Sequence, residues 1–269
     1  RNGSMKQHLS LAQTIRALVK ILRGKPDIPP SLANDDLLRV ILNRRSIRSF
    51  TNQPIPDDVF SAILEAGRLA PSTVNLQSWT FAVFDNEAWR QLFGHSIPFH
   101  GSRAVIVISD TFRYRQVLAE FTDCTLIEYT IWVMNALLAA MNMNIAAEAL
   151  GVSSVMLSET GQSGVLDAKY LKGMLHLPVG CIPIMTIVFG YARGAYPPMP
   201  PKLPINQIVV HDVYQPRDNE ELQSWLDQMI AGYNASHLGS SFQSQLNIYK
   251  SKMSQAENDL LELIFPPKK

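Results

Sequence analysis

The apolar positions of this 269-residue chain change period several times, and each change marks an element. Leu9, Leu11, Ile15, Leu18, Val19 and Leu22 recur at helical spacing, which predicts a helix over residues 7–22 closed by Gly24 and Pro26. Residues 25–31 read as a proline-rich linker, and Asn34-Asp35-Asp36 caps a helix over 35–43. Pro56, Asp57 and Asp58 open a helix over 57–70 with Val59, Phe60, Ile63, Leu64 and Leu69 as its apolar positions. A strand is expected at 79–84, a short helix at 86–93 and a strand at 104–109. The unbroken apolar run Ala104-Val105-Ile106-Val107-Ile108 implies a strand covered on both faces.

Residues 126–150 form the longest periodic stretch and have the length of a membrane span. Glu128, Asn135, Asn142, Asn144 and Glu148 argue against that, because each would need a partner inside hydrocarbon. A long central helix, apolar on more than one side, suits a core or a subunit interface instead. Beyond it come a helix stop and strand at 151–157, a helix at 163–175 and a strand at 182–191. Residues 192–204 are proline-rich and should run over the surface. A short strand at 208–210 and helices at 219–233 and within 241–263 complete the chain. Strands and helices alternate without a βαβ rhythm, so the expected class is α+β, a sheet flanked by helices.

Composition narrows the function. Hydrophobic residues make up 46% and charged residues 17%, which permits a sizeable core in one large domain or two small ones. A net charge of +1 speaks against binding nucleic acid through a broad basic surface. Cys124 and Cys181 are far apart with no ligand pair nearby, which fits buried thiols in a reducing, cytoplasmic setting rather than a disulfide or zinc site. Residues 1–4 read as an expression scar before a native Met5, and no signal peptide follows. No Gly-x-Gly-x-x-Gly follows a strand, no Walker loop occurs, and the six histidines show no metal spacing.

The local charge maximum is Arg44-Arg45-Ser46-Ile47-Arg48-Ser49-Phe50. In an extended backbone Arg44, Ser46 and Arg48 face one side and Ile47 and Phe50 are free to pack. Arginine forks and a hydroxyl match phosphate oxygens. The same cations also follow a helix, where they favour its C-terminal dipole with no ligand at all. From the residues alone both readings stand.

The following segments carry a resemblance. The basic box, Pro54-Ile55-Pro56, Ile63-Leu64-Glu65-Ala66-Gly67-Arg68-Leu69-Ala70-Pro71-Ser72 and Asn75-Leu76-Gln77-Ser78-Trp79 resemble, in order and separation, the FMN-dependent nitroreductase and flavin-reductase superfamily. Lys202-Leu203-Pro204, Val209-Val210-His211 and Tyr214-Gln215-Pro216 resemble its larger NADPH-linked branch. The resemblance implies a mixed, mainly antiparallel sheet flanked by helices, with the long helix at a homodimer interface. It implies FMN between two subunits, with NADH or NADPH as co-substrate. Arg44, Arg45, Ser46 and Arg48 would hold the phosphate, ribityl chain and pyrimidine edge. Pro71, Ser72, Asn75 and Gln77 would line the flavin from the other side. Leu157, Ser158 and Glu159 would lie near the ring, and Lys202 would close the phosphate site. The family commonly carries a second cation beside that lysine; here Pro200-Pro201 precede it. The glycine expected beside the ring is displaced to Gly161.

On this basis the chain divides into an N-terminal helix and linker (5–34), an FMN-binding core (35–216) and a helical C-terminal extension (217–269). The expected activity is ping-pong hydride transfer from NAD(P)H through flavin N5 to a nitroaromatic, quinone or flavin. The partners are then a small-molecule acceptor and a second copy, with no nucleic acid and no membrane. The alternatives are a related flavoenzyme of narrow substrate range, such as a reductive dehalogenase or enone reductase, and an FMN-binding protein without turnover.

Overall fold

The computed structural model describes residues 9–26, 28–32, 34–118, 120, 126–157, 164–216, 219–237 and 239–265. Residues 1–4, Cys124, Ser158, Glu159 and Gly161 lie outside them. The elements run α1 (Leu11–Arg23), α2 (Asp36–Asn43), α3 (Asp57–Arg68), β1 (Trp79–Asp85), α4 (Asn86–Phe93), β2 (Arg103–Asp110) and α5 (Phe112–Arg115). They continue α6 (Leu126–Ala149), β3 (Ser153–Leu157), α7 (Ala168–Met174), β4 (Cys181–Gly190), α8 (Ile205–Ile208), α9 (Asn219–Ser236) and α10 (Phe242–Ile264).

The chain forms two compact units. The smaller comprises residues 1–28 and 197–250, and in it α1 packs on α9. Ala17 and Ala231 are buried there, and Gly232 lets Ile21 approach so closely that a Cβ would lie 2.8 Å from its Cδ1. No strand forms at 208–210. Ile208 closes the single turn of α8 behind Pro204, and Val209 and Val210 are exposed. β-Branched side chains make a strand only where another strand is there to pair with.

The larger unit, residues 29–196 and 251–269, holds the sheet. Its four strands lie in the order β1-β2-β4-β3, and every neighbouring pair is antiparallel. Central β2 is buried from Ala104 to Asp110, as its apolar run requires. Its side chains alternate between two cores. Val105 and Val107 join Phe60, Ile63, Ala136, Ala140 and Met143 from α3 and α6 on one face. Ala104, Ile106 and Ile108 join Trp89, Ile97, Val155 and Leu171 on the other. The β2–β4 register slips between Val107 and Ile108, opposite Pro183, which has no N–H to give a ladder.

Helix α6 packs on α3 and crosses the sheet. The polar residues that spoke against a membrane span all have protein partners. Glu128 pairs with Arg115 at 3.5 Å, Asn142 donates to the Ala66 carbonyl at 3.1 Å, and Asn135, Asn144 and Glu148 reach the segments described next.

Candidate functional site

The basic box begins where α2 ends. Arg44 is the C-cap, its N–H donating to the Val40 carbonyl. Arg45 turns back, and its Nη1 donates to the carbonyls of Leu42 at 2.8 Å and Arg44 at 2.9 Å. The helix-end reading of these cations therefore holds for Arg45, which satisfies a carbonyl that the helix leaves open. Its Nε is buried without a partner.

Beyond Arg45 the box is fastened to the sheet by two isolated bridges. Ser46 forms a parallel bridge with Ser154 on edge strand β3, and the Ile47 N–H donates to the Ser154 carbonyl at 3.0 Å. Phe50 bridges Ala192, the Thr51 N–H donates to Tyr191 O at 2.8 Å, and the Arg193 N–H donates to Ser49 O at 2.9 Å. The Arg193 side chain adds two bonds to the Phe50 carbonyl, at 3.2 and 3.1 Å. Ile47 and Phe50 are buried in the same core as Val155, Leu157 and Val188. A Cβ on Gly190 would come within 2.8 Å of the Phe50 ring, so only glycine lets the two close. The backbone is thus fastened on both sides, while Arg48 is exposed and Arg44 and Ser46 are half-exposed. Neither the Arg44 nor the Arg48 guanidinium makes a hydrogen bond or ion pair with any described residue.

One carboxylate lies near. Glu148, at the end of α6, accepts from Tyr196 Oη at 3.2 Å, and that hydroxyl also bonds Ser153 Oγ at 2.7 Å. Burial pushes the Glu148 carboxyl above its ordinary value, while the Tyr196 bond and the charges of Arg44 and Arg45 pull it back. Tyr196 is raised, first by its own burial. Asn144, 1% exposed, accepts from Ser154 Oγ and so fixes α6 to the strand that the box adjoins.

The second predicted segment is built differently. Across residues 72–78 Val74, Asn75 and Gln77 have φ of 52°, 55° and 48°, in the left-handed region that side-chain-bearing residues avoid. Val74 is β-branched and 85% exposed, so packing does not explain its conformation. Ser72 Oγ accepts the Gln77 N–H at 3.0 Å. Asn135 on α6 accepts from Thr73 N at 3.2 Å and donates to Ser78 Oγ at 3.0 Å. Asn75 is exposed and Gln77 half-exposed, and the Gln77 Nε2 donates to Asn75 Oδ1 at 3.4 Å. Pro71 is exposed and Ser72 half-exposed.

The single chain does not bring the box and this loop together. The loop leads into β1 at Trp79, opposite Ser109, whereas the box adjoins the far edge strand β3, whose Ser153 pairs with Gly190 at the other end of the sheet. Along α6 the loop's anchor Asn135 and the box's neighbour Glu148 are about 20 Å apart. Leu157 turns its side chain into the core. Lys202 is exposed in the smaller unit. Ser158 and Glu159 are outside the described residues. Sequence reasoning did not find Glu148 and Tyr196 as neighbours of the arginines, because only the fold joins positions a hundred residues apart. A buried asparagine in an apolar helix was a visible sign of Asn135.

Comparison with known proteins bears on these segments. The model of the nitroreductase family matches residues 41–99, the span that contains both box and loop. A protein of Archaeoglobus fulgidus, provisionally named an NADH dehydrogenase/NAD(P)H nitroreductase, is 30% identical over 165 residues, 59% of this chain and 87% of its own. The NADPH-flavin oxidoreductase of Vibrio harveyi is 29% identical over 218 residues, 75% of this chain and 84% of its own. The crystal structure of nitroreductase A from Vibrio parahaemolyticus shares the fold, with a TM-score of 0.68 and 24% identity over 82% of this chain and 91% of that one. With a 30% identical relative matched over 87% of its length and the family model over both unusual segments, the chain belongs to the nitroreductase family.

Proposed function

We propose that this chain is an FMN-dependent oxidoreductase that takes a hydride from NADH or NADPH and passes it, in ping-pong order, to a nitroaromatic, quinone or flavin acceptor. One observation carries the reading: Arg44 and Arg48 stand on a backbone fastened from both sides, yet neither guanidinium has a hydrogen-bond or ion-pair partner among the described residues. Two cations without committed partners suit a dianionic group, and the orphaned Nε of Arg45 is a further buried donor in the same box. The residues present therefore fit a phosphate.

Bound FMN would supply the chemistry, accepting and releasing hydride at N5. The chain's part is to bind and orient. Arg44, Ser46 and Arg48 take the phosphate end, and the carboxylate of Glu148 limits how much positive charge they offer. Pro71, Ser72, Asn75 and Gln77 approach the ring, their amides supplying both donors and acceptors. Because box and loop are far apart in one protomer, the loop belongs to a second copy. Support for that copy comes from α6, where Ile127, Met134, Leu138 and Met141 recur on one side and stay exposed, Met134 at 60%. Lys202 is proposed as a further phosphate ligand.

The test is an absorption spectrum of the purified protein after FMN is added and excess removed. A flavin band that bleaches on anaerobic addition of NADH or NADPH, and returns with a nitroaromatic or quinone, is expected. Colourless protein that takes up no FMN would sink the reading.

A further inference from the structure

We infer that Arg113, supported by Asp110 and by Asn135, is a positioning residue that sets the loop 72–78 in the shape that meets the flavin ring; the inference rests on the function proposed above. Arg113 follows β2 on α5, and its Nε lies 3.2 Å from Oδ2 of Asp110, a carboxylate only 5% exposed. Its Nη2 donates to the Gln77 carbonyl at 3.1 Å and also to the Trp79 carbonyl. The carbonyl between them, that of Ser78, accepts the Asp110 N–H at 3.0 Å. Three successive carbonyls at the end of the loop are thus bound by one short stretch of chain. Asp110 is itself fixed, accepting from Thr80 Oγ1 and, at 3.3 Å, from Cys181 Sγ. Asn135 ties the two ends of the loop together, accepting from Thr73 and donating to Ser78 Oγ.

These bonds hold what local preference opposes. Three side-chain-bearing residues in the left-handed region would relax if left alone, and such strain persists only where the surroundings over-determine it. Nothing apolar is gained by it at Val74, which is exposed. What the conformation does is present Asn75 and Gln77 side by side. A chain that merely had to cross from α3 to β1 would need no such clamp.

The experiment compares FMN with riboflavin, which has the ring but no phosphate, and adds hydrogen exchange on flavin-free protein. In Arg113→Met, affinity for both flavins should fall by the same factor, about tenfold. Amide exchange within 72–78 should rise by at least roughly tenfold while the sheet keeps its protection. Arg113→Lys, able to reach Asp110 and one carbonyl, should recover part of both losses. Arg48→Ala serves as the contrast, losing FMN and keeping riboflavin. If Arg113→Met does not fold, Asn135→Ser is read by the same pair of measurements. Unchanged exchange, unchanged riboflavin affinity, or a loss confined to FMN overturns the inference and leaves the proposed function intact. A parent that binds neither flavin overturns both.

Discussion

The box and the loop reach a similar end, polar side chains turned outward, by opposite means. In the box main-chain bonds to β3 and to residues 191–193 do most of the fastening, with the Arg193 side chain added at the Phe50 carbonyl and Ile47 and Phe50 as apolar anchors. In the loop the backbone is irregular, and side chains do the fastening: Ser72, Asn135 and Arg113. A sheet-fastened segment tolerates changes in its outward residues, because none of them holds the backbone. A side-chain-fastened segment does not.

The sharpest way to break this contrast is to remove an anchor of the box. Phe50 is 0% exposed, and Phe50→Ala should cost about 3–5 kcal/mol of stability, seen as a lowered urea midpoint together with lost flavin uptake. A midpoint close to that of the parent would mean that backbone bonds alone hold the box. Next come the outward cations. Arg44→Ala and Arg48→Ala should each weaken FMN binding by about 1.5–3 kcal/mol, read by flavin fluorescence, with the unfolding midpoint unchanged. A drop in stability would show that these arginines also brace the fold. The smallest effect concerns Glu148. Its proton is held more tightly in the folded chain than in the unfolded one, so the parent loses stability as pH rises from the ordinary 4.5 through the raised value, and Glu148→Gln should not. The variant should also bind FMN about two- to fivefold more tightly than the parent at pH 8, with the gap closing at low pH where Glu148 is neutral. Parallel titrations of both proteins would decide it.

Much of the fold was legible because its signals are local. The run in β2 announced a two-faced strand, the spacing of α3 named Phe60 and Ile63 as inner residues although Leu69, counted with them, is exposed past the helix end, and Ile47 and Phe50 stood out as the packing members of the box. The short strand expected at 208–210 failed because propensity cannot say whether a partner is present. The single turn of α5 carries no periodic signal at four residues, yet it brings Arg113 to the loop. The candidate site was legible as two segments and not as an arrangement. That box and loop lie at opposite edges of one sheet follows from the strand order, which is set by pairings across a hundred residues. The roles of the arginines also divided in a way the motif does not record, since Arg45 serves the end of α2.

The parallel bridge between Ser46 and Ser154 has an effect separate from any ligand. β3 is an outermost strand, and an open strand margin invites pairing with another chain. By bridging it at Ser154, the arginine-bearing segment acts as a fender that takes up part of that margin and opposes strand addition there. Loosening that segment would therefore expose a sticky rim, and insolubility would accompany the loss of cofactor.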